Sequence, residues 1–148
     1  MHVLILRDPR ESAAKCSLTP LRGLPDIEFK SYRFDRRHTV GRRLFLTPDG
    51  EPFGEADRGL DLFLIDCAWR RVPKLLATVD GDLLPRRLPE LRSAYPRKSK
   101  LFEDPGSGLA SIEALYAAVC LLDGPRSDLL RDYRWREAFL EANPELPR

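Results

Sequence analysis

The chain has 148 residues, 43% of them hydrophobic and 32% charged, with a formal net charge of +2, a composition that fits one globular domain with a sizeable core. No apolar stretch nears the roughly 20 residues that span a bilayer, so no membrane partner is expected. Three widely spaced cysteines, Cys16, Cys67 and Cys120, without C-x-x-C spacing, and two isolated histidines, His2 and His38, argue against a disulfide framework, a metal site and a His-based triad.

Met1-His2-Val3-Leu4-Ile5-Leu6 is apolar, lacks a leading basic region and runs straight into Arg7-Asp8-Pro9. It reads as a first strand, not a signal peptide, and the thiols read as those of a cytosolic protein. His2 to Leu6 is a continuous apolar strand, central and parallel, ended by Asp8-Pro9-Arg10. Pro20, Gly23 and Pro25 keep the next region irregular, and Ile27 to Tyr32 alternates as a half-exposed strand does. Asp35 to Gly41 reads as a basic turn, Arg43 to Leu46 as a strand, and Thr47-Pro48-Asp49-Gly50 as the turn that ends it. Glu55 to Gly59 fits a helical turn.

Leu62 to Ile65 is an apolar run short enough for a buried strand. It is followed by Asp66-Cys67-Ala68-Trp69 and then Arg70-Arg71. In open parallel sheets ligands sit beyond the carboxyl ends of the strands, so Asp66 and Trp69 stand on the rim of such a crevice. Alternatively, Trp69 plugs the core and Asp66 caps a following helix. Val72 to Ala77 is helical, with Pro73 tolerated in its first turn. Leu83 to Pro89 is a short edge strand, and Arg97 to Gly108 a polar loop. Ile112, Leu115, Tyr116, Val119 and Cys120 recur at helical spacing, with Ser111 available as a cap and Gly124-Pro125 as a stop. Ser127 can cap a last helix carrying Leu129, Leu130, Tyr133 and Phe139. Strands first and helices last predict an α/β fold, with a mostly parallel sheet over 1–88 and a helical part over 89–148, as one unit.

The charge is uneven. Residues 1–100 carry 20 basic against 14 acidic side chains, whereas residues 101–148 carry 5 against 9. The basic residues cluster near presumed strand ends, which points to a polyanion such as RNA; a solvated charged surface is the simpler alternative. The phosphate and dinucleotide cradles G-x-G-x-x-G and G-x-x-x-x-G-K-[ST] are absent from the sequence.

Four segments in order go further: Asp8-Pro9-Arg10 with Lys15-Cys16-Ser17; Leu46-Thr47-Pro48 with Asp57; Ile65-Asp66-Cys67-Ala68-Trp69; and Leu88-Pro89-Glu90-Leu91 followed by Leu109-Ala110-Ser111-Ile112-Glu113-Ala114. Together they resemble the SPOUT-like family of ribosomal-RNA aminocarboxypropyltransferases, with its D-P-K-K-C-[ST], L-S-P, I-D-C-S-W and L-P-x-L…L-S-x-x-E-A motifs. Glu11 to Ala14 interrupts the first motif here. Ser93-Ala94-Tyr95-Pro96 stands where the family has A-A-N-P, and Tyr95 with Arg97-Lys98 resembles the related DTW-domain tRNA enzymes.

The resemblance implies a sheet tied in a trefoil knot and a monomer that transfers the 3-amino-3-carboxypropyl group of S-adenosylmethionine to a uridine of rRNA or tRNA, rRNA being favoured. It implies that Leu46, Pro48, Leu88 and Leu109 line an adenine slot, with the main chain at Ser107 and Leu109 on the adenine edge. It also implies that the Ile65 carbonyl takes the ribose hydroxyls, Trp69 and Val72 enclose the methionine portion, and the Ser17 N–H holds its carboxylate. Asp66 is then either a base toward the uracil ring or a structural residue. Lys15, Arg36, Arg37, Arg70, Arg71, Arg97 and Lys98 form the candidate RNA surface. A non-catalytic RNA-binding or ribosome-assembly factor on the same fold is the alternative function.

Overall fold

Two strands open on four consecutive apolar side chains, β1 (Val3–Arg7) and, fourth in chain order, β4 (Leu62–Asp66). Such runs bury both faces of a strand and belong inside a parallel sheet. They lie side by side in the computed structural model, which describes residues 1–11, 16–96 and 108–147. Around them pair β2 (Ile27–Ser31), β3 (His38–Pro52) and β5 (Val79–Arg87), in the order β2-β1-β4-β3-β5. Every pairing is parallel.

Alternation sends Val3, Ile5, Leu62 and Leu64 to one face, where they join Ile112, Leu115 and Val119 of α2 (Ser111–Asp123). Leu4, Leu6 and Phe63 go to the other face and meet Leu75 of α1 (Val72–Leu76). Each face thus has its own apolar core. A last helix, α3 (Arg136–Ala142), joins the first of these cores through Phe139, which is fully buried and meets Tyr116 edge-on. Among the described residues no helix is long and apolar enough to cross a membrane.

Three expectations are corrected. The basic turn is shorter than Asp35 to Gly41, because β3 begins at His38. The last strand begins at Val79, ahead of Leu83. These two polar stretches pair with one another, with Arg37 bridging Asp80 and Arg42 bridging Asp82. Both partners are solvated, so neither shows an apolar pattern. Pro85 is accommodated because β5 is an edge strand. Finally, Ser127 starts only a single 3-10 turn, Ser127–Leu130, and α3 follows separately at Arg136. The Asp128 carboxylate is taken by Arg126, and Tyr133 turns inward to hydrogen-bond Glu113, so the chain bends between the two.

His38 is buried and bridges the start of β3 to the chain around it. Its Nε2 accepts the Arg33 N–H at 3.3 Å, and its Nδ1 lies 3.0 Å from the Thr78 hydroxyl, which donates to the Leu75 carbonyl. That pattern requires the neutral ring protonated at Nδ1. Burial, followed by the charge of Lys30, lowers its pKa. The unfolded chain therefore takes up this proton more readily than the folded one, and stability is lost as pH falls through about 6.5. The melting temperature should drop between about pH 7.5 and about pH 5.5, and the drop should shrink in His38→Gln, read by circular dichroism.

Candidate active site

The carboxyl ends of β3, β4 and β5 are built to hold a cleft open. Leu46 and Glu51 of β3 both pair with Arg86 of β5, so Thr47 to Gly50 loops out of the ladder. The turn lies flat on β5: a Cβ at Gly50 would run into the backbone of Pro85 and Arg86. Next in the chain, Asp57 is buried and accepts the Arg86 Nε–H at 2.9 Å and the Gly54 N–H at 2.8 Å. Burial pushes this carboxyl up, but those two donors outweigh it and hold its pKa below the usual value. The segment from Thr47 to Asp57 is thereby clamped to the sheet edge.

On the opposite side, Glu113 is fully buried and carries four hydrogen bonds. Its two oxygens accept the Ser93 hydroxyl at 2.7 Å, the Ala94 N–H at 2.8 Å, the Ala110 N–H at 2.8 Å and the Tyr133 hydroxyl at 3.0 Å. An ionised carboxylate offers about four lone-pair sites, and all are used. Burial, then the adjacent Glu113, pushes the Tyr133 phenol up, so it stays a donor. The residue capping α2 is Ala110 rather than Ser111: Glu113 reaches back to its N–H, one half of a capping box. A second first-turn donor, the Ile112 N–H, is met by the Ser17 hydroxyl at 3.1 Å. Three distant segments, around Ser17, Ser93 and Tyr133, are thus pinned to one helix start.

Between these clamps opens a cleft of about 1200 Å³. Leu46, Pro48, Ile65, Trp69, Val72, Leu88 and Leu109 all line it, joined by Leu18, Phe45, Phe53 and Leu64. Trp69 is 46% exposed and forms part of the wall, so it does not plug the core. Glu55, Arg58, Arg87 and Glu90 supply the charges of the lining. Ser17 stands at the α2 start beside Leu18, while Ser107 lies outside the described residues.

Asp66 is a structural tie, though not as a helix cap. It is buried and caps no helix: its Oδ2 accepts Arg7 Nε–H at 3.0 Å and the Cys16 thiol at 3.0 Å. It is not among the cleft-lining residues. The arrangement ties the motif around Cys16 to the ends of β1 and β4, with Arg7 also stacked over the Phe29 ring at 4.6 Å. Cys67 does line the cleft, but burial and the neighbouring Asp8 push its thiol up to about 12, so it is no thiolate nucleophile.

Arg36 and Arg70 are exposed. Arg37 is exposed but occupied, bridging Asp80 and donating to the Ala77 carbonyl at 2.6 Å. Arg71 is a correction: it turns inward to the buried Asp8, with its side chain 15% exposed. Lys15, Arg97 and Lys98 lie outside the described residues. Missing from the sequence-derived site is Glu113, whose signal was a Glu three residues past a helix cap inside a recognised motif.

Chemically, the cleft offers apolar walls for a flat heterocycle and an aromatic face for a cation. Such walls fit an adenine and a sulfonium. Among the described residues no His, Cys, Asp and Glu cluster suits a metal ion. No protein-family model matches the chain, and no curated protein matches it significantly. Among solved structures it is similar to the SAM-dependent rRNA:acp-transferase Tsr3 from Vulcanisaeta distributa, with a TM-score of 0.74 and 26% sequence identity over 97% of this chain and 79% of that one.

Proposed function

We propose that this chain transfers the 3-amino-3-carboxypropyl group of S-adenosylmethionine to a uridine or modified uridine in RNA, with rRNA favoured over tRNA. The observation that carries the reading is the convergence of Leu46, Pro48, Ile65, Trp69, Val72, Leu88 and Leu109 on one apolar cleft. These residues come from separate motifs spread along the chain, and a shared ligand gives them a common purpose. The likeness to Tsr3 supports the same reading. The trefoil knot implied by the motifs belongs to it as well.

S-adenosylmethionine supplies a sulfonium whose three attached carbons are already activated. The protein therefore has to orient and not to activate. Leu46, Pro48, Leu88 and Leu109 sandwich the adenine. The Ile65 carbonyl takes the ribose hydroxyls, and the Ser17 N–H takes the carboxylate. Trp69 and Val72 cover the methyl group, leaving the aminocarboxypropyl carbon facing the RNA. In the transfer a uracil ring nitrogen would form the new bond and release its proton to water, while the broken carbon–sulfur bond would leave its electron pair on methylthioadenosine. Asp66 acts through position, holding Arg7 and Cys16 at the end of β4.

The test follows the label. With the cofactor labelled in its carboxyl group, radioactivity should enter RNA; labelled in its methyl, it should remain on methylthioadenosine. Methyl label in RNA would make the protein a methyltransferase. Calorimetry that detects no S-adenosylmethionine binding would favour the non-catalytic RNA-binding reading.

A further inference from the structure

A second hollow lies at the same end of the sheet, and nothing in the transfer reaction uses it. It measures about 350 Å³ and is formed by the segments that follow β1 and β2. That volume falls in the range of small-ligand sites. The 3-10 turn Trp69–Arg71 divides the two spaces: Trp69 lines the large cleft and Arg71 the hollow.

On the hollow's lining stands Phe34, which is 83% exposed, more than any other large hydrophobic side chain described. Its loop is anchored at both ends. The Tyr32 N–H donates to the Arg7 carbonyl at 2.8 Å, the Arg33 N–H to His38 at 3.3 Å, and the Arg36 N–H to the Arg33 carbonyl at 3.3 Å. The ring is thus presented on a braced loop. Beside it Tyr32 contributes a second aromatic group, and Arg10, Arg33, Arg71 and Lys74 contribute positive charge. Asp8 and Asp35 are the acids of the lining, and each is paired, with Arg71 and Arg33 respectively. Arg10 and Lys74 are exposed and have no ion-pair partner among the described residues.

We infer that this hollow is a nucleotide subsite, in which Phe34 stacks on an unpaired RNA base next to the target while Arg10 and Lys74 meet the flanking phosphates. The inference rests on the RNA reading above and adds to it a residue that grips a neighbour of the reacting base. An exposed aromatic ring set among cations is the combination that single-stranded nucleic acid sites use, because every base has a stackable face. A protein–protein patch would instead be depleted of lysine and carboxylates around its aromatic centre, whereas Lys74, Asp8 and Asp35 line this one. The position also fits: a strand crossing the Trp69–Arg71 turn would place adjacent nucleotides in the hollow and the cleft.

The test compares a fluorescein-labelled oligouridylate with an abasic ribose-phosphate strand of equal length, by anisotropy. Phe34→Ala should weaken binding of the oligouridylate roughly five- to hundredfold, the weight of one base–aromatic stack. It should barely change binding of the abasic strand, and Phe34→Trp should restore the loss. S-adenosylmethionine affinity, by calorimetry, should equal that of the wild type. Full oligouridylate affinity in Phe34→Ala, or equal losses on both strands, would overturn the subsite and leave the RNA reading standing. A wild-type protein that binds neither strand would remove the RNA reading and the subsite with it. Sedimentation that shows a wild-type dimer dissociated by Phe34→Ala would reassign the ring to a contact between copies of the chain.

Discussion

Glu113→Gln should be among the most destabilising single-atom exchanges in the molecule. Both Glu113 oxygens face donors, and all four positions are filled by the Ser93 and Tyr133 hydroxyls and the Ala94 and Ala110 N–H groups. An amide keeps one oxygen and turns an NH₂ toward one hydroxyl and one backbone N–H; the hydroxyl can rotate to accept from it, but the N–H is left facing a donor in a buried site. A hydrogen bond to a charged group contributes about 1.5–3 kcal/mol, and the bonds that remain lose their charge, so the variant should lose about 2–4 kcal/mol. The melting temperature should fall roughly 5–15 °C. Tyr133→Phe removes only one of the four bonds and should cost about 1–2 kcal/mol.

A functional effect should accompany the loss of stability. Glu113 joins the segment before Ala94 to the start of α2, and the cleft is lined by Leu88 to Glu90 from the first of these and by Gly108 and Leu109 from the second. S-adenosylmethionine affinity measured well below the melting transition should therefore fall too. Unchanged affinity and stability in Glu113→Gln would show that the carboxylate is dispensable.

Why some of this was legible in the sequence and some not comes down to the range of the forces involved. β1 and β4 were readable because burial on both faces leaves an unbroken apolar run, visible within five residues. The opening of β3 and of β5 carried no such mark, since His38–Arg43 and Val79–Asp82 stabilise each other through backbone pairing and surface ion pairs. Thr47–Gly50 was legible as a turn but not as an interruption: it does not end the strand, since β3 pairs again at Glu51 and Pro52, and its seat on β5 depends on the distant Pro85 and Arg86. The partners of Asp66 were hidden locally for the same reason. Its partners Arg7 and Cys16 lie 59 and 50 residues away, and a carboxylate followed by a helical turn looks identical to a cap until they are in place. Motif order succeeded where periodicity was silent, because residues that line one cleft are held to their types by a ligand rather than by their neighbours in sequence.

Trp69→Ala separates a wall of the cleft from a plug of the core. A fully buried aromatic truncated to alanine costs about 3–5 kcal/mol. Trp69, at 46% exposed, leaves no closed cavity behind, so the fold should lose about 1 kcal/mol or less. The melting temperature should stay within a few degrees of wild type, roughly the 2–8 °C that 1 kcal/mol represents. Cofactor binding should respond differently. The indole supplies both a large apolar surface and a face for a positive charge, together about 2–3 kcal/mol, so S-adenosylmethionine affinity should fall roughly thirty- to hundredfold. Val72 alone would then border the space beside the methyl carbon, and transfer from the carboxyl-labelled cofactor should drop further than binding does, because a loosened sulfonium no longer presents one carbon to the RNA. Trp69→Phe should recover part of both. A steep fall in melting temperature with normal affinity in the surviving folded protein would return Trp69 to the core and leave the cleft without its proposed methionine wall.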